Sequence, residues 1–162
     1  MFAAVEHASF NSCLTNKPTY IHTTIEDHIK EHSNEYDAVV ASEVIEHINH
    51  TQRELFVESC VKALKPGGKI IFTTPNRTRM SQLLGIYFVE AFNIIPRGTH
   101  HYHKFTTQDE LKYLLELNDC RVDLTQGYVY YPWSHKWKWI SWQSLMFAMR
   151  GVKLDKNAVQ HT

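Results

Sequence analysis

Residues 36–75 most constrain the fold: an apolar run, an amphipathic segment and a second apolar run follow in close succession. YDAVVAS (36–42) holds four consecutive apolar residues, Ala38 to Ala41, and reads as a short buried strand. TQRELFVESCVKALKPGG (51–68) reads as an amphipathic helix. Phe56, Cys60, Ala63 and Leu64 fall on one face, and Pro66-Gly67-Gly68 is expected to stop it. KIIFTTP (69–75) is a second buried strand.

The flanking segments continue the alternation. PTYIHT (18–23) reads as a strand, and TIEDHIKEH (24–32) as a short helix capped by Thr24. TTQDELKYLLELNDC (106–120) opens with a threonine cap and two first-turn acids, with Leu111, Leu114 and Leu115 inward. VDLTQGYVYYP and SLMFAMR read as strands able to pair as an antiparallel hairpin. Strands alternating with helices argue for a mostly parallel, three-layer α/β sheet.

Length and composition narrow the function classes. The 162 residues suit one domain, and 43% hydrophobic with 21% charged residues is a globular profile. Lys+Arg and Asp+Glu balance at 17 each, which gives no electrostatic case for a nucleic-acid partner. The eleven histidines are scattered and no CxxC pair is present, which argues against structural zinc. Cys13, Cys60 and Cys120 read as reduced thiols of an intracellular compartment, with Cys60 in the core. MFAAVEHASF shows no targeting pattern.

Chemistry concentrates where the first strand ends. Ser42 hands over at once to Glu43, Glu46 and His47, whose i, i+3, i+4 spacing places them on one face of a helical turn. Two carboxylates and an imidazole thus meet past the C-terminal end of a strand, the edge where open α/β sheets bind ligands. By spacing alone, a solvated helix face is the commoner meaning of such a set. Ser42 reads equally as the N-cap of that turn. Glu26 and Asp27 read first as an ordinary first-turn acid pair.

The run YDAVVASEVIEH (36–47), with LKPGGKIIFTTPNRT (64–78), IIPRGTHHYHKF (94–105) and YYPWSHKWKW (130–139), resembles the mitochondrial ubiquinone-biosynthesis O-methyltransferases. These are class I, S-adenosylmethionine-dependent enzymes acting on ring hydroxyls of polyprenylated benzoquinone precursors. LKPGG before a strand marks the superfamily; SEVIEH with PRGTHHYHKF is more specific. The resemblance runs from about residue 3 to residue 150. It implies a Rossmann-like sheet with an antiparallel C-terminal hairpin, a partial methyltransferase domain over 1–150 and a tail over 151–162.

The resemblance also implies site roles. Glu43, Glu46 and His47 would hold Mg²⁺, which favours a phenolate by Lewis acidity. The carboxylates suit this hard cation, whereas His47 suits it less and is alternatively a general base. Ser42 matches a position contacting the methionine end of S-adenosylmethionine, and Glu26 and Asp27 lie where such enzymes often fix the adenine. The chain departs from the family in one respect. Its six glycines begin at Gly67, so no Gly-rich cofactor loop precedes the first acid site. The sheet is therefore expected to lack its first two strands, as in an N-terminally truncated form.

Residues 79–96, RMSQLLGIYFVEAFNIIP, are mostly apolar with a narrow polar stripe of Arg79, Gln82, Glu90 and Asn93. They read as a substrate lid or membrane-contact helix, with Arg77, Arg79, Arg97 and Lys104 near lipid headgroups; an ordinary core helix is the alternative. His100 matches the family's Gly-Thr-His and is placed near the ring hydroxyl, with His101 and His103 at the surface. The aromatic cluster Tyr128, Tyr130, Tyr131, Trp133, Trp137 and Trp139 suits a ring pocket, a membrane interface or core packing. The implied partners are a polyprenylated phenol or quinol and a ubiquinone-biosynthesis protein complex. The implied location is peripheral, on the matrix side of the mitochondrial inner membrane. The competing reading is a membrane-associated interaction module without catalysis.

Overall fold

In the computed structural model, residues 19–81, 105–131 and 133–155 are described. Cys13, residues 82–96 of the segment expected to be a lid or membrane-contact helix, Arg97, Lys104 and the histidines at 100, 101 and 103 lie outside them.

The elements in chain order are α1 (Ile25–His28), β1 (Tyr36–Ser42), a 3₁₀ turn (Ile45–His47), α2 (His50–Ala63) and β2 (Leu64–Pro75). They continue with α3 (Gln108–Leu117), β3 (Cys120–Tyr131), β4 (Lys136–Ile140) and β5 (Met146–Lys153). The five strands form one sheet in the order β1-β2-β5-β3-β4. β1 and β2 are parallel, and β5 is antiparallel to both β2 and β3. Three strands therefore share one direction, although only one neighbouring pair is parallel. The expected hairpin-like pairing of VDLTQGY with LMFAMR is the β3–β5 ladder. KWKWI adds β4, which the sequence reading did not identify.

One core unites the elements. Phe56, Val57, Cys60 and Val61 of α2 pack with Ile70 and Phe72 of β2, Phe147 and Met149 of β5, and Leu111 and Leu115 of α3. Cys60 is 3% exposed, as expected of a core thiol, and burial pushes its pKa up to about 12. Thr107 closes a capping box on α3: its hydroxyl accepts from Glu110 N–H, and the Glu110 carboxylate accepts from Thr107 N–H. Ile25 of α1 joins the same core, so the described helices gather on one face of the sheet. The opposite face, where a third layer was expected, leaves Val40 63% exposed.

Several boundaries differ from expectation. Residues 19–24 form no strand, and Tyr20 and Ile21 are exposed rather than paired in a sheet. The helix expected over 24–32 is one turn, although Thr24 does cap it, accepting from Asp27 N–H at 3.2 Å. α2 ends at Ala63 rather than at the Pro-Gly-Gly signal, because Leu64 is already extended (φ −73°, ψ 142°). Its last carbonyls find partners elsewhere. Asn34 N–H and Glu35 N–H donate to Lys62 O and Ala63 O, and the Lys153 ammonium donates to Val61 O and Leu64 O. The Lys153 ammonium also reaches Asn34 Oδ1, at 2.8 Å.

Lys153 is thus part of the fold, and β5 runs three residues past the 150/151 boundary drawn from sequence. Lys153→Met keeps the aliphatic stem but removes this charged cap from the helix end. We expect a loss of about 1–2 kcal/mol in stability, read as a lower denaturant midpoint at unchanged slope.

Candidate functional site

The C-terminal ends of the parallel pair, Ser42 on β1 and Thr73-Thr74 on β2, lie side by side, with Ser42 and Thr73 in register. Just past β1 the chain does not enter a helix. Glu43 takes a left-handed conformation (φ 53°), its N–H donates to Thr73 O at 2.9 Å, and only Ile45–His47 form the short 3₁₀ turn. The single helical face expected for Glu43, Glu46 and His47 is therefore absent. Tertiary contacts, not helical spacing, set the acids' positions.

A chain of hydroxyls holds Glu43. Thr73 Oγ1 donates to Glu43 Oε1 at 2.9 Å, and Tyr128 OH donates to the same oxygen. Ser42 Oγ lies 2.9 Å from Thr73 Oγ1. The one Thr73 proton is committed to Glu43, so Ser42 is the donor in that contact and keeps lone pairs free to accept. Ser42 does not cap the turn, whose N-cap is Val44 without a side-chain bond. Burial first, then the bond to Glu43, raises the Tyr128 pKa, so this phenol stays protonated.

Glu46 lies deeper, at 3% exposure. Its Oε2 accepts from Thr74 Oγ1 at 3.1 Å, while Oε1 is buried without a hydrogen-bond partner. Burial, with a smaller contribution from the Glu43 charge, pushes its pKa up to about 7. His47 Nε2 stands 3.9 Å from that orphaned oxygen, with its side chain 57% exposed. Beneath the acids Arg53 is 4% exposed, donates to Ile48 O, and lies within electrostatic reach of Glu46, Glu110 and Arg77. Arg53 is therefore a buried cation in the neighbourhood of the acids.

Among the described residues, no three His, Cys, Asp or Glu side chains converge as a ready metal cage. The structure brings Glu43 and Glu46 into mutual influence and leaves His47 at the rim. Asp27 bonds Thr24 and Lys30, as an ordinary first-turn acid does, and the Lys30 bond holds its carboxyl below the usual range. Trp133, Trp137 and Trp139 are 83%, 60% and 68% exposed, so core packing is not their role. Thr73, Thr74, Tyr128 and Arg53 were missed as site residues. Only Tyr128 had been singled out, within the aromatic cluster. Two surface grooves, one around Glu58, Asp119 and Lys153 and one around Thr24, His28 and Tyr36, lie away from the acids.

The methyltransferase-domain family profile matches residues 2–125. The chain is 40% identical over 151 residues to the mitochondrial ubiquinone biosynthesis O-methyltransferase of Rattus norvegicus, covering 93% of this chain and 43% of that protein. It is 35% identical over 148 residues to the Vibrio vulnificus ubiquinone biosynthesis O-methyltransferase, covering 90% of this chain and 57% of that one. The chain thus spans about half the length of the curated relatives it matches. Among solved structures, it resembles a Methanosarcina mazei S-adenosylmethionine-dependent methyltransferase (TM-score 0.61, 16% identity, 92% of this chain, 75% of that one). It also resembles the Synechocystis magnesium protoporphyrin IX methyltransferase with bound S-adenosylhomocysteine (TM-score 0.59, 12% identity, 93% of this chain, 57% of that one). At such identities these likenesses show the fold.

Proposed function

The chain belongs to the methyltransferase-domain family, and from that premise we propose that it is the acceptor-site part of an S-adenosylmethionine-dependent O-methyltransferase acting on polyprenylated benzoquinone precursors in ubiquinone biosynthesis. The substrate class rests on the relatives' names and on the motifs SEVIEH and PRGTHHYHKF. The observation that carries the site is the Glu43/Glu46 pair at the ends of two parallel strands, with Glu46 Oε1 buried and unpartnered.

Those two carboxylates fit a magnesium ion. A buried carboxylate without a partner beside a second one is disfavoured in its charged form, and a hard dication relieves both costs. Bound there, magnesium would favour the deprotonated phenol and give its oxygen a fixed position. Thr73 and Tyr128 orient Glu43, and Thr74 orients Glu46. His47, exposed at the rim, is suited to take the phenolic proton and pass it to water. S-adenosylmethionine, when bound, would supply the methyl group: its carbon would bond to the phenolate oxygen as the carbon–sulfur electron pair goes to sulfur, giving S-adenosylhomocysteine. Ser42, with lone pairs directed away from Thr73, suits the ammonium of the cofactor's methionine end.

Peripheral contact with the matrix side of the mitochondrial inner membrane through residues 79–96, and a place in a ubiquinone-biosynthesis complex, belong to the same proposal. The mammalian relatives are named as mitochondrial, which supports the organelle in this reading. No helix among the described residues is long and apolar enough to cross a membrane.

Melting of the protein at pH 8, with and without magnesium and S-adenosylhomocysteine, tests this reading alongside methyl transfer to a catechol-type acceptor. We expect tenfold-saturating magnesium to raise Tm by about 3 °C, with transfer following the same magnesium midpoint. A melt and a transfer rate both unmoved by magnesium would remove the metal assignment.

A further inference from the structure

The β3–β4 hairpin carries a set of rings that neither the core nor the acid pair accounts for. Tyr128 is in register with Trp139, and Tyr130 with Trp137. Their period-2 spacing places all four rings on one face, while Lys136 and Lys138 point to the other. The rings touch as a ladder: centroids are 5.6 Å apart for Tyr128–Trp137, 5.9 Å for Tyr128–Trp139 and 5.1 Å for Tyr130–Trp137. Ordinary cross-strand packing explains the contacts but not why Trp137 and Trp139 stay mostly exposed beside a carboxylate site.

Tyr128 joins the ladder to the acids. Its ring lies against both tryptophans while its hydroxyl donates to Glu43 Oε1. Glu43 is therefore already holding a phenol hydroxyl at the inner end of an aromatic wall. A planar ring bearing a phenolic hydroxyl matches both parts of this arrangement: an apolar face for the wall, and a hydroxyl at the carboxylate end.

We propose that the Tyr128–Trp137–Trp139 face seats the aromatic ring of the methyl acceptor, and that the Tyr128 hydroxyl is the positioning group fixing Glu43. This deepens the O-methyltransferase reading and rests on it for the identity of the acceptor. The two roles separate within one side chain. The ring contributes acceptor affinity, and the hydroxyl contributes the orientation of Glu43. Trp137 and Trp139 contribute affinity only.

The experiment uses 3,4-dihydroxybenzoate as probe, followed by tryptophan fluorescence quenching without cofactor or magnesium, and then by steady-state methyl transfer. Trp139→Leu is expected to weaken probe binding and raise KM about 5- to 10-fold, as loss of one stacking partner does, with the magnesium midpoint unmoved. Trp139→Phe should recover most of the binding. Tyr128→Phe keeps the ring and should leave probe affinity and KM within about twofold, while kcat falls about tenfold and more magnesium is needed for half-maximal rate. If Trp137→Leu and Trp139→Leu both leave KM and quenching unchanged in folded protein, the ring site is overturned. If Tyr128→Phe leaves kcat and the magnesium midpoint unchanged, its positioning role is overturned. Either result leaves the methyltransferase reading intact. Conversely, probe binding sensitive to Trp139 in a protein that transfers no methyl group would support the ring site and count against that reading.

Discussion

Gly127→Ala is expected to destabilise the protein by about 3 kcal/mol or more, a large share of an ordinary domain's stability. Gly127 sits where β3 changes partners: it is in register with Phe147 of β5 on one side and Ile140 of β4 on the other. The chain returning from β4 to β5 crosses directly over it. A Cβ at Gly127 would lie 2.0 Å from Trp142 O, 2.8 Å from Trp142 C and 3.0 Å from Ile140 O. All three atoms are backbone, so no side chain can swing aside, and the crossing segment itself must move. That displacement also strains the Gln126 side-chain bond to Ile140 O. Gly127→Ser would meet the same atoms and should behave alike. Denaturant unfolding followed by circular dichroism checks it. A loss under 1 kcal/mol would mean that the crossing has slack the close contacts deny.

The parts of the fold that were legible are those set by local periodicity. YDAVVAS and KIIFTTP are strands because their apolar runs are short and bounded, and they lie next to each other and parallel. The α3 capping box was readable because its signal spans four residues. The end of α2 was not readable in the same way. Pro66-Gly67-Gly68 is a generic stop, but the carbonyls at that helix end are taken from afar: Lys153, 92 residues from Val61 in sequence, donates to Val61 O, and Asn34 and Glu35 N–H donate to Lys62 O and Ala63 O. β4 had a local signal that went unread: in KWKWI, lysine and tryptophan alternate with the period of a strand.

The acid site shows the same division. Glu43 and Glu46 stood out because carboxylates past a buried strand are unusual there. The helical face assigned to them was wrong, because a left-handed Glu43 is held by bonds to Thr73, 30 residues away, and to Tyr128, 85 residues away. Nothing in EVIEH itself encodes those partners. Arg53 looked like one more polar residue of an amphipathic helix, and its burial depends on how α2 lies beneath the turn.

Glu46→Gln is expected to stabilise the metal-free protein at pH 8 and to weaken its chemistry at the same pH. The Glu46 pKa is about 7 in the folded protein, against an ordinary 4.5. Between those values the folded state keeps a proton that the unfolded state has released, so stability falls as pH rises through that window. Above about pH 7 both states are ionised, and the whole cost of burying the charge, about 3 kcal/mol, is in force. Glutamine mimics the protonated acid: its carbonyl can still accept from Thr74, and it carries no charge beside Glu43. Variant and wild type should therefore melt together near pH 4, and the variant should be more stable by up to about 3 kcal/mol at pH 8 with chelator present. Magnesium reverses the order of merit. Wild type should gain stability on adding it, while the variant should need about 10- to 100-fold more magnesium for the same gain and for half-maximal methyl transfer. The measurement is a set of melting curves from pH 4 to 8, with chelator and with magnesium, beside rates at matched pH. A variant that is less stable than wild type at pH 8 would make Glu46 a structural anion held by Arg53. A variant that is more stable, yet unchanged in its need for magnesium, would leave the acid without a role in the chemistry.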